Sequence, residues 1–600
     1  MGASRTGRLF SCAAIAALLA GPGLITGVHA QDMPSAPLED LLPLEWAPPG
    51  GEQPAGIATR ATAAPPTEPT ANAEELIPLD WAPPALDGVI AGEQVRQAVA
   101  DMLAAADHGG LPPAMTERPD FKALAEAYAA RDNRPVWIEH GAFGERARAA
   151  IARIARADED GLEPAAFQLP SPAGAAVADM ARAELELSLA AVSYARQAAA
   201  GRLDPSSISG FISAEPVAPE PGDILASLAV ADDAAAVLDA YNPPHEGFRA
   251  LRRELAAVRA ARPAAPMPEI AEGRLLRPGM HDPRVPALRA RLGVAAPVPE
   301  AHPDWDRYDD TLAEAVRAYQ RDEGLNDEAI VGKLTRNALN EGRGRDVESD
   351  LLVNMERWRW MPRDFGDDHV IVNTPEYMVR VVSNGVTTHE ARVVVGTIKT
   401  QTPVFSDAME YLVVNPSWGV PLSIVKRDML PRLQNDPYYL ARRGIDVHVV
   451  HKGRSRMIDS SMVDWTRTDL RGLHFRQPPG VNNALGRIKF MFPNEHAVYL
   501  HDTPTRNLFG RTARAYSNGC VRVEDPFALA EAILSISGGM DIDRVKRMVG
   551  GGEKRINLTT PLPVHLVYFT TWVDEAGEVQ HRPDVYGHDG RMRAALGLGA

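Results

Sequence analysis

The sequence predicts a multidomain protein with a helical first half, a small compact unit after it, and a strand-rich C-terminal domain. Three observations carry this. Six hundred residues exceed what one hydrophobic core organises. From about 88 to 272, Ala-rich segments carry apolar residues at helical spacing. After about 350, short β-branched or aromatic runs bounded by turns take over.

At the N-terminus, Arg5 and Arg8 precede an apolar stretch from Leu9 to Val28 that ends at Val28-His29-Ala30. This reads as an export signal over 1–30, either cleaved near Ala30 or retained as a membrane anchor. Gly21-Pro22-Gly23 interrupts the run and argues against a robust spanning helix. Net charge is −16, or −18 without Arg5 and Arg8. Such an acidic chain is a poor match for nucleic acid, whose binding rests on Lys and Arg.

Residues 31–87 are rich in Pro, Ala, Glu and Thr, and the composition predicts a disordered linker. Leu42-Pro43-Leu44-Glu45-Trp46-Ala47-Pro48-Pro49 returns as Ile77-Pro78-Leu79-Asp80-Trp81-Ala82-Pro83-Pro84. The pair reads either as two docking strips for an envelope partner, anchored by Trp46 and Trp81, or as a duplicated spacer.

Between 88 and 272, Glu145–Ala157 and Asp179–Ala200 are the clearest helices, and no residue spacing there suggests catalysis. In 273–345, Leu276-Arg277-Pro278-Gly279 leads to Val285–Gly293, and a helix over Thr311–Glu323 carries Val316, Tyr319 and Gln320. Gly332, Leu334-Thr335 and Ala338-Leu339 follow. This pattern resembles the peptidoglycan-binding type 1 domain, which implies three helices.

In 346–600, strands are expected at Val370–Asn373, Val379–Val382, Ala391–Val395, Tyr411–Val414, Ala497–Leu500 and Val564–Val573. Asp525-Pro526 predicts a helix start, with Asp as N-cap and Pro at the first helical position.

Chemistry concentrates at Cys520. Beyond residue 30 it is the only cysteine, so no intramolecular disulfide can absorb it. It is either a buried, inert residue or a reactive thiol. Its surroundings favour the second reading. His501 lies nineteen residues upstream at the end of an expected strand, where it can serve as base. Gly519 lets the backbone approach a substrate, and amides around Gly519 and Cys520 are natural oxyanion donors. Arg522 is a permanent cation suited to a carboxylate. His448, His451 and His474 share a region, but their spacing matches no zinc pattern, so no metal and no cofactor are expected.

His501-Asp502-Thr503-Pro504 followed by Ser517-Asn518-Gly519-Cys520-Val521-Arg522-Val523 resembles the active-site signature of L,D-transpeptidases with a YkuD-type catalytic domain. The common form has a histidine two places before the cysteine. Here that place is Asn518, which leaves His501 as the base. Further likeness to the large periplasmic subgroup lies in Asn354–Trp360, Thr402–Ser406, Asn415–Pro421, Asn483–Phe490 and Asp584–Asp589. Arg134–Trp137, Asp160–Leu162 and Gly201–Pro205 resemble that subgroup's scaffold domain.

The resemblance implies an α-helical scaffold domain over 88–272 and a small three-helix peptidoglycan-binding-like domain over 273–345. A mainly β YkuD-type catalytic domain follows over 346–600, with a helical and loop capping insertion at about 420–473. It implies that Cys520 attacks a tetrapeptide stem, releases D-Ala and passes the thioester to an amine, giving a 3→3 cross-link in the periplasm. Ser517, Asn518 and Gly519 would shape the turn and its oxyanion donors. Tyr499 and Trp418 would line the cleft, and Arg522 would hold the loop or a stem carboxylate. The alternatives are an L,D-carboxypeptidase or endopeptidase, attachment of an envelope protein to peptidoglycan, and a non-enzymatic wall-binding protein.

Overall fold

The computed structural model describes residues 91–106, 111–170, 176–261, 268–322, 325–341, 346–451 and 454–598. The expected export segment with Cys12, and the linker with Trp46 and Trp81, lie outside them. Among the described residues no helix is long and apolar enough to cross a membrane. The fold class is the one expected: helices first, then a domain built on a large mixed sheet.

The helical first half contains α1 (Ala91–Ala104), α2 (Phe121–Ala130), α3 (Glu145–Ala155), α4 (Val177–Ala200), α5 (Pro221–Ala229) and α6 (Glu246–Ala260), with shorter turns between them. Helix α4 is buried along most of its length, and its alanines let neighbouring helices approach closely. Its Glu184 carboxylate accepts from the backbone N–H groups of Val136, Trp137 and Ile138 and from the Tyr128 hydroxyl. One buried acid thus pins the Arg134–Trp137 motif to the core.

Helices α7 (Val285–Arg291), α8 (Asp310–Asp322) and α9 (Lys333–Glu341) enclose a small separate core around Leu288, Tyr308, Leu312 and Val316. Buried Gln320 bonds the backbone of Ala329 and Ile330 and the Thr335 hydroxyl, which fixes the turn between α8 and α9.

Helix α10 (Val347–Arg359) joins scaffold to sheet, so its polar residues are buried rather than solvated. Glu356 Oε1 accepts from the N–H groups of Arg202 and Leu203 at 2.6 and 2.9 Å. Arg359 Nη2 donates to the Asp160 carbonyl at 2.5 Å. Asn354 and Arg357 bond Thr570, and Arg357 also pairs with Asp589 at 2.6 Å. Two scaffold glycines meet this helix at positive φ: a Cβ on Gly161 would lie 2.9 Å from Leu352, and one on Gly201 2.6 Å from Glu356. The Asp160–Leu162 and Gly201–Pro205 motifs are therefore docking points for α10.

The strands are β1 (Asp368–Asn373), β2 (Met378–Ser383), β3 (Val386–Gly396), β4 (Phe405–Val414), β5 (Trp418–Gly419), β6 (Asp446–His451), β7 (Arg454–Ile458), β8 (Leu473–Gln477), β9 (Ile488–Met491), β10 (Leu500–His501), β11 (Ala515–Ser517), β12 (Val521–Val523), β13 (Lys554–Val567) and β14 (Thr571–Val573). The main sheet runs β11-β3-β12-β10-β9-β4-β13-β1-β2, and β2 also pairs with β3, so the sheet closes on itself. Helix α11 (Pro526–Ser537) begins as expected, with the Asp525 carboxylate accepting from the Ala528 N–H. Helix α12 (His588–Leu596) ends the domain.

The segment Ser417–Gln477 forms a compact unit distinct from the rest of the described chain. It holds a four-stranded sheet, β5-β8-β6-β7, and short helical turns.

Two expected strands are shorter than their composition suggests. Of Ala497–Leu500 only Leu500 joins the ladder. Asn494 bonds the Phe492 carbonyl and both backbone groups of Val498, holding the preceding residues in a turn, with Ala497 at φ 52°. Val564–Val573 breaks after Val567, because Phe569 bonds Asn373 and Thr570 bonds Asn354 instead of a neighbouring strand.

Glu356→Ala should destabilise the protein by about 3 kcal/mol, since it removes the acceptor of two half-buried N–H groups and the carboxylate nearest the buried Arg359. Thermal unfolding checks this: the midpoint should drop clearly, while exposed Glu410→Ala should move it by less than about 1 °C.

Candidate active site

The register of three strands assembles the site. Parallel β10 and β12 pair Leu500 with Val521 and His501 with Arg522. Antiparallel β9 pairs Lys489 with His501, and β4 pairs Val413 with Lys489. Side chains alternate across a strand. Lys489, His501 and Arg522 therefore form one row on one face of the sheet, while Phe490, Leu500 and Val521 fill the other. Cys520 and Tyr499 lie just before β12 and β10, and the Val521 N–H donates to the Tyr499 carbonyl at 3.1 Å.

All three members of the row are buried: Lys489, His501 and Arg522 are 0%, 1% and 3% exposed. His501 Nδ1 lies 2.5 Å from the Asp502 carbonyl. A carbonyl only accepts, so Nδ1 carries the hydrogen and Nε2 keeps its lone pair. Burial, and then the neighbouring Arg522, lower the His501 pKa to about 3; Lys489 adds to this and the bond to Asp502 opposes it. The imidazole is neutral at any ordinary pH.

Asp502 is itself held tightly. One carboxylate oxygen accepts from the Thr503 N–H and from Arg506, the other from the Arg487 N–H and Nε. Gly486 makes room for it: at φ +61°, a Cβ there would lie 2.3 Å from the Asp502 carboxyl.

Cys520 is a free thiol and partly exposed. Its Sγ lies 3.9 Å from the Ala497 carbonyl. Burial of the surroundings pushes the thiol pKa up, against hydrogen bonding from Tyr499 and the charges of Arg522 and Lys489. Burial also lowers Arg522 to about 10, and its Nε and Nη1 have no hydrogen-bond partner.

The turn before the thiol is a closed hydrogen-bond circuit. Ser517 Oγ donates to the Cys520 carbonyl at 2.5 Å and accepts from the Gly519 N–H at 3.1 Å. Gly519 takes φ +113°, a conformation that favours glycine. The Gly519 N–H, expected as an oxyanion donor, is thus given to Ser517. Asn518 is exposed at the tip. The loop after β3 braces this turn: Thr402 Oγ1 donates to the Gly519 carbonyl at 2.8 Å and Thr400 Oγ1 to the Ser517 carbonyl at 3.0 Å. The chain end braces that loop in turn. The Tyr586 hydroxyl donates to Gly396 and accepts from the Thr402 N–H, and His588 Nε2 bonds Gln401 at 2.9 Å.

Of the residues singled out in the sequence, Cys520, His501, Tyr499, Arg522, Ser517 and Gly519 fall in this one region. Tyr499 stands edge-on to His501, with ring centroids 5.8 Å apart, and Lys489 Nζ lies 5.6 Å over its ring. Trp418 is fully buried and belongs to the Ser417–Gln477 unit, where it pairs with Gln477. In that unit His448 faces His474 across β6 and β8. No group of three His, Cys, Asp or Glu able to hold a metal occurs among the described residues.

Sequence reasoning missed Lys489, Asp502, Gly486 and the Tyr586–Thr402 brace as site components. Lys489 was detectable as a lone cation inside the strand Ile488-Lys489-Phe490-Met491.

A free thiol just before β12 and a neutral imidazole on the adjacent β10, with a buried guanidinium two residues after the thiol, make a construction suited to cysteine acyl transfer. Comparison with known proteins agrees. Residues 367–554 match the L,D-transpeptidase catalytic domain (YkuD), 122–255 the "Scaffold domain", and 283–339 the "Putative peptidoglycan binding domain". The chain therefore carries the YkuD-type L,D-transpeptidase catalytic domain together with a scaffold domain and a peptidoglycan-binding domain. A Haemophilus influenzae protein named "Putative L,D-transpeptidase" is 34% identical over 251 residues, 42% of this chain and 50% of that one. The chain thus spans about half the length of this curated relative. A solved L,D-transpeptidase structure (residues 123–326) from Xylanimonas cellulosilytica is 16% identical, covering 50% of this chain and 99% of that one; its TM-score of 0.15 carries no argument about fold.

Alkylation of Cys520 by iodoacetamide should rise with pH to a midpoint above that of an ordinary thiol, about 8.5. Arg522→Gln should move the midpoint higher still, because the lost cation favours the thiolate. Mass spectrometry across pH reads both; a midpoint below that of free cysteine would contradict this electrostatic account.

Proposed function

We propose that the protein is an L,D-transpeptidase that forms 3→3 cross-links between peptidoglycan stems outside the cytoplasm, in the periplasm. The observation that carries this reading is Cys520, placed one strand from a His501 whose free nitrogen is set by its own backbone. Cys520 attacks the carbonyl between the third stem residue and the terminal D-Ala, and His501 Nε2 takes the thiol proton. The proton passes to the departing amine, D-Ala leaves, and a thioester remains. A side-chain amine of a second stem attacks the thioester, a new amide forms, and the thiol is regenerated.

The unpartnered Arg522 nitrogens suit a stem carboxylate, since a buried guanidinium with open donors is completed by an anion. Because Ser517 occupies the Gly519 amide, the Cys520 amide is the better candidate for the oxyanion donor. The peptidoglycan-binding domain would hold the enzyme on its polymeric substrate.

The test is purified protein incubated with disaccharide-tetrapeptide, followed by mass analysis. Stem dimers and free D-Ala are expected. Cys520→Ala should give neither while keeping the parent's unfolding midpoint, and Cys520→Ser should be at least about 100-fold slower. Tripeptide without dimers would identify a hydrolase instead, and dimers from folded Cys520→Ala would remove the thiol from the mechanism.

A further inference from the structure

The sheet β5-β8-β6-β7 of the Ser417–Gln477 unit carries a side-chain cluster that the thiol chemistry does not use. His448 on β6 faces His474 on β8, and on its other side it faces Met457 on β7. The three residues form one row across three adjacent strands. Residues in register share a face of the sheet, and neighbours in such a row have Cβ atoms about 4.5–5.5 Å apart.

That face is the solvent side. Val447, Leu473 and Phe475, which alternate with the row, are buried on the opposite face. His474 is exposed, His448 is half-buried and Met457 is 63% exposed, so the row is open to a ligand.

His448 is already held by a neighbour. Its Nδ1 lies 3.2 Å from the hydroxyl of Ser455, which stands one row along opposite Val450. A hydroxyl oxygen can accept the Nδ1 hydrogen, which leaves the Nε2 lone pair for a ligand; metal-bound imidazoles are commonly held this way. Among the described residues no hydrogen bond or ion pair engages the His474 ring. In the row on the other side Asp446 faces Arg476, so opposite charges stand together there.

Two imidazoles and a thioether make a selective donor set. Thioether sulfur favours copper(I), and imidazole suits copper as well, whereas Mg²⁺ and Ca²⁺ take oxygen ligands. Structural zinc sites draw on Cys, His and carboxylates, and no group of three such residues is available among the described residues.

We propose that His448, His474 and Met457 form a copper(I) site on the outer face of this sheet. The site lies within the Ser417–Gln477 unit and does not rest on the transpeptidase reading. Its ligands come from three strands, so a bound ion ties β6, β7 and β8 together and stabilises the folded unit by mass action. The sequence spacing of the histidines suggests no metal, because the row exists only once the strands are paired.

The test uses the full chain carrying Cys12→Ala and Cys520→Ala, so that no thiol competes for the ion. Copper(I) is titrated anaerobically, with ascorbate present, against a chromogenic chelator. One equivalent should bind. His448→Ala or His474→Ala should weaken it by at least about 100-fold, and Ser455→Ala, which removes only the supporting hydroxyl, by about tenfold. Met457→Leu keeps the side chain's size and apolar character; it should weaken copper(I) and leave zinc binding unchanged. X-ray absorption of the copper-loaded chain should show two nitrogen neighbours and one sulfur, with the sulfur lost in Met457→Leu. Without copper, the unfolding midpoints of all variants should match that of the thiol-free chain. With copper, the midpoint should rise in that chain and not in His448→Ala.

No copper(I) bound by the thiol-free chain, binding unmoved by either histidine variant, or a sulfur signal that survives Met457→Leu would each overturn the site. Zinc held as tightly as copper(I) would overturn the metal assigned to it.

Discussion

His501 gives its Nδ1 hydrogen to the carbonyl of the next residue, Asp502, and four donors fix that residue's carboxylate. The base is thus oriented by backbone rather than by a second acid. With Arg522 and Lys489 on either side of it in the sheet, an imidazolium is costly and the neutral ring is the stable form. The same cations favour a carboxylate or thiolate nearby. One row across β9, β10 and β12 therefore settles the base's protonation state, the environment of the thiol and the sign of charge a ligand should carry.

That row is precise only if the surrounding frame holds. The Thr402 and Tyr586 bonds carry order from the chain end to the Cys520 turn, and α10 ties the sheet to the scaffold through Glu356, Arg357 and Arg359. Much of this frame rests on groups kept neutral by burial. His501, His588, His245 and His565 all sit well below the usual imidazole range, at about 3, 3, 4 and 4. Each binds a proton more readily when unfolded, so stability is complete above the ordinary histidine pKa of about 6.5 and is lost as pH falls toward 4 and below.

The thiol, its base and the helix after them were legible because their signals are local. A lone cysteine after Gly519, a histidine at a strand end, and Asp525-Pro526 as a helix start need only their neighbours in sequence. The helical and strand-rich halves were legible for the same reason, through periodicity. What escaped was long-range. Lys489 reads as an ordinary strand residue until β9 is paired with β10, and Asp502 reads as a motif letter until Gly486 is seen packed on it. The early end of the Val564 strand is set by Asn354, more than two hundred residues away. The fate of the Gly519 amide turned on a single hydroxyl rotamer at Ser517, which no spacing rule contains.

The neutral, Nδ1-protonated imidazole of His501 is the claim on which the account stands. Nitrogen-15 NMR of histidine-labelled protein, with the resonances assigned against His501→Gln, reads it directly. The account predicts one protonated and one unprotonated ring nitrogen for His501 at neutral pH, unchanged on acidification to about pH 5. Two protonated nitrogens at neutral pH, the signature of a resting thiolate–imidazolium pair, would contradict it.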